Sequence, residues 1–130
     1  MTIPFWCLAI GILLPYFWAP LSLPERKQRF GRADFHLPRV QAAALEGTGA
    51  RAMGAHMNAF EALSVFGVSV VVAHLAGADP RWSAVLSVGW VVARLVHGIM
   101  YVTDRPSLRT PAFAMGMLCS VGLLGLAIAA

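Results

Sequence analysis

From Met1 to Pro24 the chain carries no charged side chain. Ile3–Leu23 is long enough to cross a hydrocarbon core of about 30 Å as a helix. A signal peptide reads differently, because no Lys or Arg precedes this apolar run and no small-residue cleavage site closes it. Pro4 suits a first helical turn, while Pro15 and Pro20 are expected to kink or fray the later part. In a bundle, neighbouring helices can satisfy the backbone groups that such prolines free.

Composition extends this reading to the whole chain. The 130 residues are 58% hydrophobic and 12% charged, against roughly 45–50% and about 25% in an average soluble domain. A chain this short has too little interior to hide so much apolar surface. An ordinary soluble enzyme, a secreted disulfide scaffold and a disordered tail are excluded. Cys7 and Cys119 each lie inside an apolar stretch and read as small hydrophobes, with no metal or disulfide spacing. The net charge of +4 comes without a basic patch carrying stacking aromatics, so no nucleic-acid partner is expected.

Three further spans follow. A second apolar region runs from Glu61 to Ala78, interrupted by His74 and closed by the turn signal Gly77-Ala78-Asp79-Pro80. It becomes a full crossing if its helix begins upstream. Pro38 suits a first helical residue and Ala42–Glu46 has good helix propensity. The expectation is one long helix, partly outside the membrane, that enters near Arg51 and spans 51–77. The third span is 82–102, with Trp82 and Tyr101 placed for the two aromatic belts. The fourth is 111–130, where Gly116, Gly122 and Gly125 offer small faces for close helix contact. The fold class is an all-α membrane protein, an up-down antiparallel bundle of four transmembrane helices. It forms a single domain with a basic link at 24–50.

Charge sets the expected orientation. Arg26, Lys27, Arg29, Arg32 and Arg39 outnumber Glu25 and Asp34 in the first link, and Arg105 and Arg109 outnumber Asp104 in the last. The positive-inside rule makes both links cytoplasmic and both termini non-cytoplasmic. His36 in the first link reads as solvated and His74 as structural.

Ionisable groups inside a membrane helix cost about 2.5–3.5 kcal/mol each on the insertion scale, yet two segments here contain them. One is Arg51–Glu61 and the other Arg94–Tyr101, followed by Asp104, Arg105, Arg109 and Thr110. Glu61 lies about 15 Å beyond Arg51, and Arg94 about 12 Å in from Val102, at 1.5 Å per residue. In antiparallel helices, Glu61 and Arg94 therefore meet at similar depth, with Asn58 and His97 one turn nearer the surface and His56 and Tyr101 nearer still. Asn58 and Glu61 share one helix face, and Arg94, His97 and Tyr101 form one stripe. Matched stripes predict a donor-rich chamber open to the cytoplasm, with Arg105 and Arg109 at its mouth, suited to a small zwitterionic or anionic ligand. Taken singly, the Glu61–Arg94 pair could fix register, Asn58 could be interhelical glue and Tyr101 an interface anchor.

The segments Ala55-His56-Met57-Asn58-Ala59-Phe60-Glu61 and Arg94-Leu95-Val96-His97-Gly98-Ile99-Met100-Tyr101, with the turn Leu108-Arg109-Thr110, resemble the MAPEG superfamily. These are the membrane-associated proteins of eicosanoid and glutathione metabolism, and the small bacterial branch is the most similar. The resemblance covers nearly the whole chain. It implies a homotrimer in the bacterial inner membrane, with glutathione as thiol co-substrate bound between subunits near the cytoplasmic face. It places His56, Asn58, Glu61, Arg94, His97 and Tyr101 among the ligand-binding residues, which Arg105 joins by its position at the chamber mouth. Arg109 and Thr110 become the thiolate-stabilising, catalytic pair. The activity implied is that of a glutathione- or other thiol-dependent transferase or peroxidase acting on lipophilic electrophiles or lipid hydroperoxides. The chain departs from the family pattern at Met57 and Gly54, where basic residues are common, and at Phe113, about where some members carry a Tyr. A non-catalytic membrane protein using the polar cluster for assembly or lipid head-group binding is the alternative.

Overall fold

The computed structural model describes residues 1–130, and every regular element in it is helical. Helix α1 is Ile3–Trp18. A 3₁₀ turn at Ala19–Ser22 then leads into α2, Leu23–Phe30. Pro4 occupies the first turn of α1, Pro15 is accommodated inside it, and Pro20 opens the tighter turn. The proline effect is thus a local change of helix pitch at Ala19–Ser22. After α3, Pro38–Ala43, come three long helices: α4 at Gly47–Leu75, α5 at Pro80–Val102 and α6 at Pro106–Ile128. Four helical runs are long and apolar enough to cross a membrane: Ile3–Phe30, α4, α5 and α6.

The expected single helix from Pro38 is not formed. The chain breaks between α3 and α4, where Glu46 is extended at φ −126° and Gly47 takes φ +47°. That positive φ suits glycine, which lacks a Cβ. A remote carboxylate fixes the new helix start. Glu25 on α2 accepts hydrogen bonds from the backbone N–H of Glu46 at 2.7 Å and of Gly49 at 2.6 Å. Ala42–Glu46 has the propensity to continue, but a capped start at Gly47 satisfies N–H groups that would otherwise be orphans.

The turn before α5 behaves as its sequence predicts. Asp79 caps it, accepting from the N–H groups of Arg81 and Trp82, both at 2.9 Å, and Pro80 takes the first helical position. Short turns at Ala76–Asp79 and Thr103–Arg105 make α4, α5 and α6 successively antiparallel. Helix α1 packs on α4 and α5, and α6 packs on the same pair. Their shared core is centred on Phe66 and Trp90, stacked with ring centroids 3.9 Å apart. Cys7, Leu14, Val70, Cys119 and Leu123 surround them, and both cysteines are free and buried.

Glycines set the closest approaches. A Cβ at Gly98 would overlap the Trp18 indole, and one at Gly122 would press on Leu86 at 3.1 Å. Gly116 admits the Arg94 side chain, whereas Gly125 faces open space. Outside the core, Leu13, Phe17, Val68, Val85, Val92 and Leu118 all point outward and exposed. An apolar exterior of this extent is suited to lipid as solvent.

The basic link is knitted together rather than merely solvated. Arg26 is buried and donates to Ser22 Oγ at 3.2 Å, Gln41 Oε1 at 2.9 Å and the Pro38 carbonyl at 3.4 Å. Gln41 in turn accepts from the Asp34 N–H and donates to the Arg32 carbonyl.

Candidate functional site

The polar residues gather at the end of the bundle where the first half of α4, the second half of α5 and the start of α6 meet. Arg94 is deeply buried, only 3% exposed. Its Nη2 donates to the Asn58 side-chain oxygen and, at 3.3 Å, to the Asn58 carbonyl. A guanidinium only donates, so it selects the oxygen of the Asn58 amide and turns the amide nitrogen outward. That nitrogen donates to Glu61 Oε2 at 3.4 Å. The residues expected to pair, Glu61 and Arg94, are thus joined through Asn58. The two salt bridges of the fold lie elsewhere, at Arg29–Glu46 and Arg51–Asp104. Asn58 stands one turn before Glu61 on the same face and meets the guanidinium first.

His97 is equally buried, one turn along α5. Its ring lies edge-on to Tyr101, with centroids 5.6 Å apart, and 6.0 Å from Phe113. Arg94 Nε and His97 Nδ1 are buried and have no hydrogen-bond partner. Buried polar atoms left so are uncommon and each needs a reason.

Tyr101 turns inward rather than serving as a belt residue. The Arg109 guanidinium lies 4.4 Å from its ring centroid, within cation–π range. On its other side lies Gly54, where a Cβ would come 2.7 Å from the phenol oxygen. A side chain at position 54 would therefore have to displace the Tyr101 phenol. Just beyond, Arg51 donates to the Val102 carbonyl at 3.1 Å and pairs with Asp104 at 3.5 Å. It ties the start of α4 to the end of α5. The sequence reading gave no role to this tie or to the Gly54–Tyr101 contact; a helical glycine one turn after Arg51 was the available signal.

The remaining predicted residues are less gathered. His56 Nδ1 lies 2.8 Å from the Pro15 carbonyl. A carbonyl only accepts, so Nδ1 carries the hydrogen and Nε2 is left for other partners. Thr110 is exposed and gives its hydroxyl to the Pro106 carbonyl at 3.2 Å. Arg105 is exposed at the turn before α6, with no side-chain hydrogen bond or ion pair, whereas Arg109 is half-covered against Tyr101.

The expected chamber between α4 and α5 is not present within one chain. The void beside Arg94 is about 10 Å³, enclosed by Ala62, Val65, Trp90, Phe113 and Met117 among others. Trp90 from the core, with Phe113 and Met117 of α6, takes up the space that polar periodicity alone left open. Asn58 instead presents its amide at the half-buried edge of α4, with Glu61 exposed beside it. The donor set therefore opens sideways, on the outer face of the protomer.

The MAPEG family model matches residues 3–129, nearly the full length. The chain is a MAPEG protein. No curated protein and no solved structure matches it significantly. Family membership and four apolar spans make it an integral membrane protein of the MAPEG four-helix fold. Members of the family generally use glutathione and serve glutathione-transferase or eicosanoid-metabolism functions. In this MAPEG chain, both signature segments converge on the cluster just described.

Proposed function

We propose that this MAPEG protein is a glutathione- or other thiol-dependent transferase or peroxidase that acts on lipophilic electrophiles or lipid hydroperoxides. The observation that carries the reading is the pair of buried, unpartnered atoms Arg94 Nε and His97 Nδ1, with the Arg109 cation on the neighbouring Tyr101 ring. A register device needs its polar atoms satisfied; a binding site leaves some for the ligand. Arg94, Arg105 and Arg109 suit the carboxylates of a peptide thiol, and Glu61 suits its ammonium. His56, Asn58, His97 and Tyr101 supply neutral donors and acceptors.

A free thiol has a pKa near 8.5, and nearby cations favour its thiolate. In this reading Arg109, with Thr110 beside it, holds that sulfur. In transfer, the thiolate forms a C–S bond while the leaving group departs with its electron pair. In peroxide reduction, two thiols give up two electrons and two protons, yielding a disulfide, an alcohol and water.

The sideways opening favours completion by a neighbouring copy, in a homotrimer. Glu61 and Ser64 are exposed on α4 within its apolar span. A charge facing lipid at that depth costs about 2.5–3.5 kcal/mol, so a second protomer is the cover that removes the cost. With the basic links cytoplasmic and the termini opposite, the thiol enters from the cytoplasm and the electrophile from the inner-membrane lipid.

The near-closed void at Arg94 and the exposed Met57 favour the second reading, a non-catalytic assembly or head-group-binding protein. Detergent-purified protein titrated with glutathione and assayed with chlorodinitrobenzene separates them. Saturable binding and turnover that collapses in Arg109→Ala support the enzyme. No thermal shift and no turnover at millimolar glutathione support the second reading.

A further inference from the structure

A second cavity lies at the opposite end of the bundle from the polar cluster. It measures about 420 Å³ and opens where the start of α1, the end of α4, the start of α5 and α6 meet. Ile3, Val70, Ala73 and Leu123 give it apolar walls, while His74 and Ser83 provide its polar side chains together with Thr2 near the mouth. Its volume falls within the range of small-molecule sites, about 300–1,000 Å³. Ser83 begins about 6 Å along α5 from its Asp79 cap, at 1.5 Å per residue, a depth that belongs to the bilayer interface.

Ser83 supplies the independent observation. It is 93% buried by its 7% exposure, and its hydroxyl has no partner. The other buried serines of α4, α5 and α6, Ser69, Ser87 and Ser120, all return their hydroxyls to a carbonyl four residues earlier. The equivalent acceptor for Ser83 is the Asp79 carbonyl, which receives the Ser83 backbone N–H at 3.0 Å but not its hydroxyl. The side chain that lines the cavity is the one left unsatisfied. His74 lies at the rim, held edge-on by Phe5 at 4.9 Å.

We infer that this cavity is a second binding site, for a single-chain amphiphile with a neutral oxygen head group. The chain would lie along the Val70–Leu123 wall, and its hydroxyl or carbonyl oxygen would meet the Ser83 hydroxyl, with His74 at the mouth. Arg94 is eleven residues further along α5, about 16 Å away, so this site is separate from the thiol site. It does not depend on the activity proposed above.

The probe pair is 1-decanol and decane, titrated into the detergent-purified full chain and followed by thermal shift, with native mass spectrometry of the untitrated protein. Saturable stabilisation by decanol is expected, lost in Ala84→Phe, which fills the cavity. Ser83→Ala, a smaller change, is expected to weaken decanol about threefold to tenfold, the worth of one hydrogen bond, without altering the decane response. A lipid carried through purification by wild type and absent from A84F identifies the occupant as a resident lipid. Decanol binding to lipid-free protein identifies a free amphiphile. A non-saturating response shared by wild type and A84F overturns the site, as does decanol affinity unchanged in S83A.

Discussion

Arg94 on α5 holds Asn58 on α4 by both of its oxygens, side-chain and main-chain, and Asn58 passes its amide nitrogen on to Glu61. Two charges of opposite sign are thereby coupled through a neutral amide. The basic member is withdrawn from lipid, while the acidic member stays exposed.

Removing the amide leaves the buried cation only the main-chain carbonyl of position 58 as acceptor. Asn58→Ala should destabilise the protein by about 1.5–3 kcal/mol, the range for hydrogen bonds to charged groups. Asn58→Asp, which keeps an acceptor, should cost less. Thermal unfolding in one detergent checks this; equal melting of N58A and wild type would show that the contact contributes nothing.

Gly54 and Tyr101 should be coupled. A methyl group at position 54 meets the phenol at 2.7 Å, so Gly54→Ala is expected to cost about 1–3 kcal/mol through overpacking. Tyr101→Ala removes the obstacle, and the double variant should recover most of that cost. A double-mutant cycle measures it; strictly additive effects would show that the two positions do not conflict.

The Glu25 cap should be measurable locally. Glu25→Ala strips the acceptor from the Glu46 and Gly49 N–H groups, at about 0.5–2 kcal/mol for a lost cap. Hydrogen exchange should accelerate over 47–50 while the middle of α4 is unchanged. Unaltered exchange there would mean that the break before α4 holds without the carboxylate.

The Arg29–Glu46 pair carries a pH signature. The hydrogen bond from Arg29, then its charge, holds the Glu46 carboxyl below its ordinary value of 4.5. A depressed folded-state pKa contributes stability that is present above the ordinary value and lost as pH falls through the depressed one. The window is therefore acidic, and the effect is small and salt-sensitive because the pair is exposed. Carboxyl NMR should show Glu46 titrating below 4.5 in wild type and returning upward in Arg29→Ala. Identical titration in both would remove the pair as the cause.

Much of this architecture was legible from side-chain polarity alone. A charge-free start, the Gly77–Pro80 punctuation and three further apolar runs dictate four crossings, because lipid tolerates little else. The turn before α5 stands where that punctuation put it, and the structure adds Asp79 as its cap. The polar stripes also met as their periodicity required. Periodicity gives depth and face, however, and not which neighbour a long side chain reaches first. Arg94 therefore found Asn58, and the chamber drawn between two helices proved packed with Trp90 and Met117. The break at Gly47 was hidden because its cause, Glu25, lies more than twenty residues earlier. Ser83 was invisible for a similar reason, since a serine in a membrane helix ordinarily bonds its own backbone.

The Glu25 cap bears on how the chain is made. Every group in that contact, and in the Arg26–Gln41 network behind it, is already synthesised before α5 begins. The leading half can therefore close into a hairpin as it leaves the ribosome, with α1 and α2 against α4 and its connecting arm locked. What arrives afterwards docks onto a finished template, and Arg94 meets an asparagine already in position.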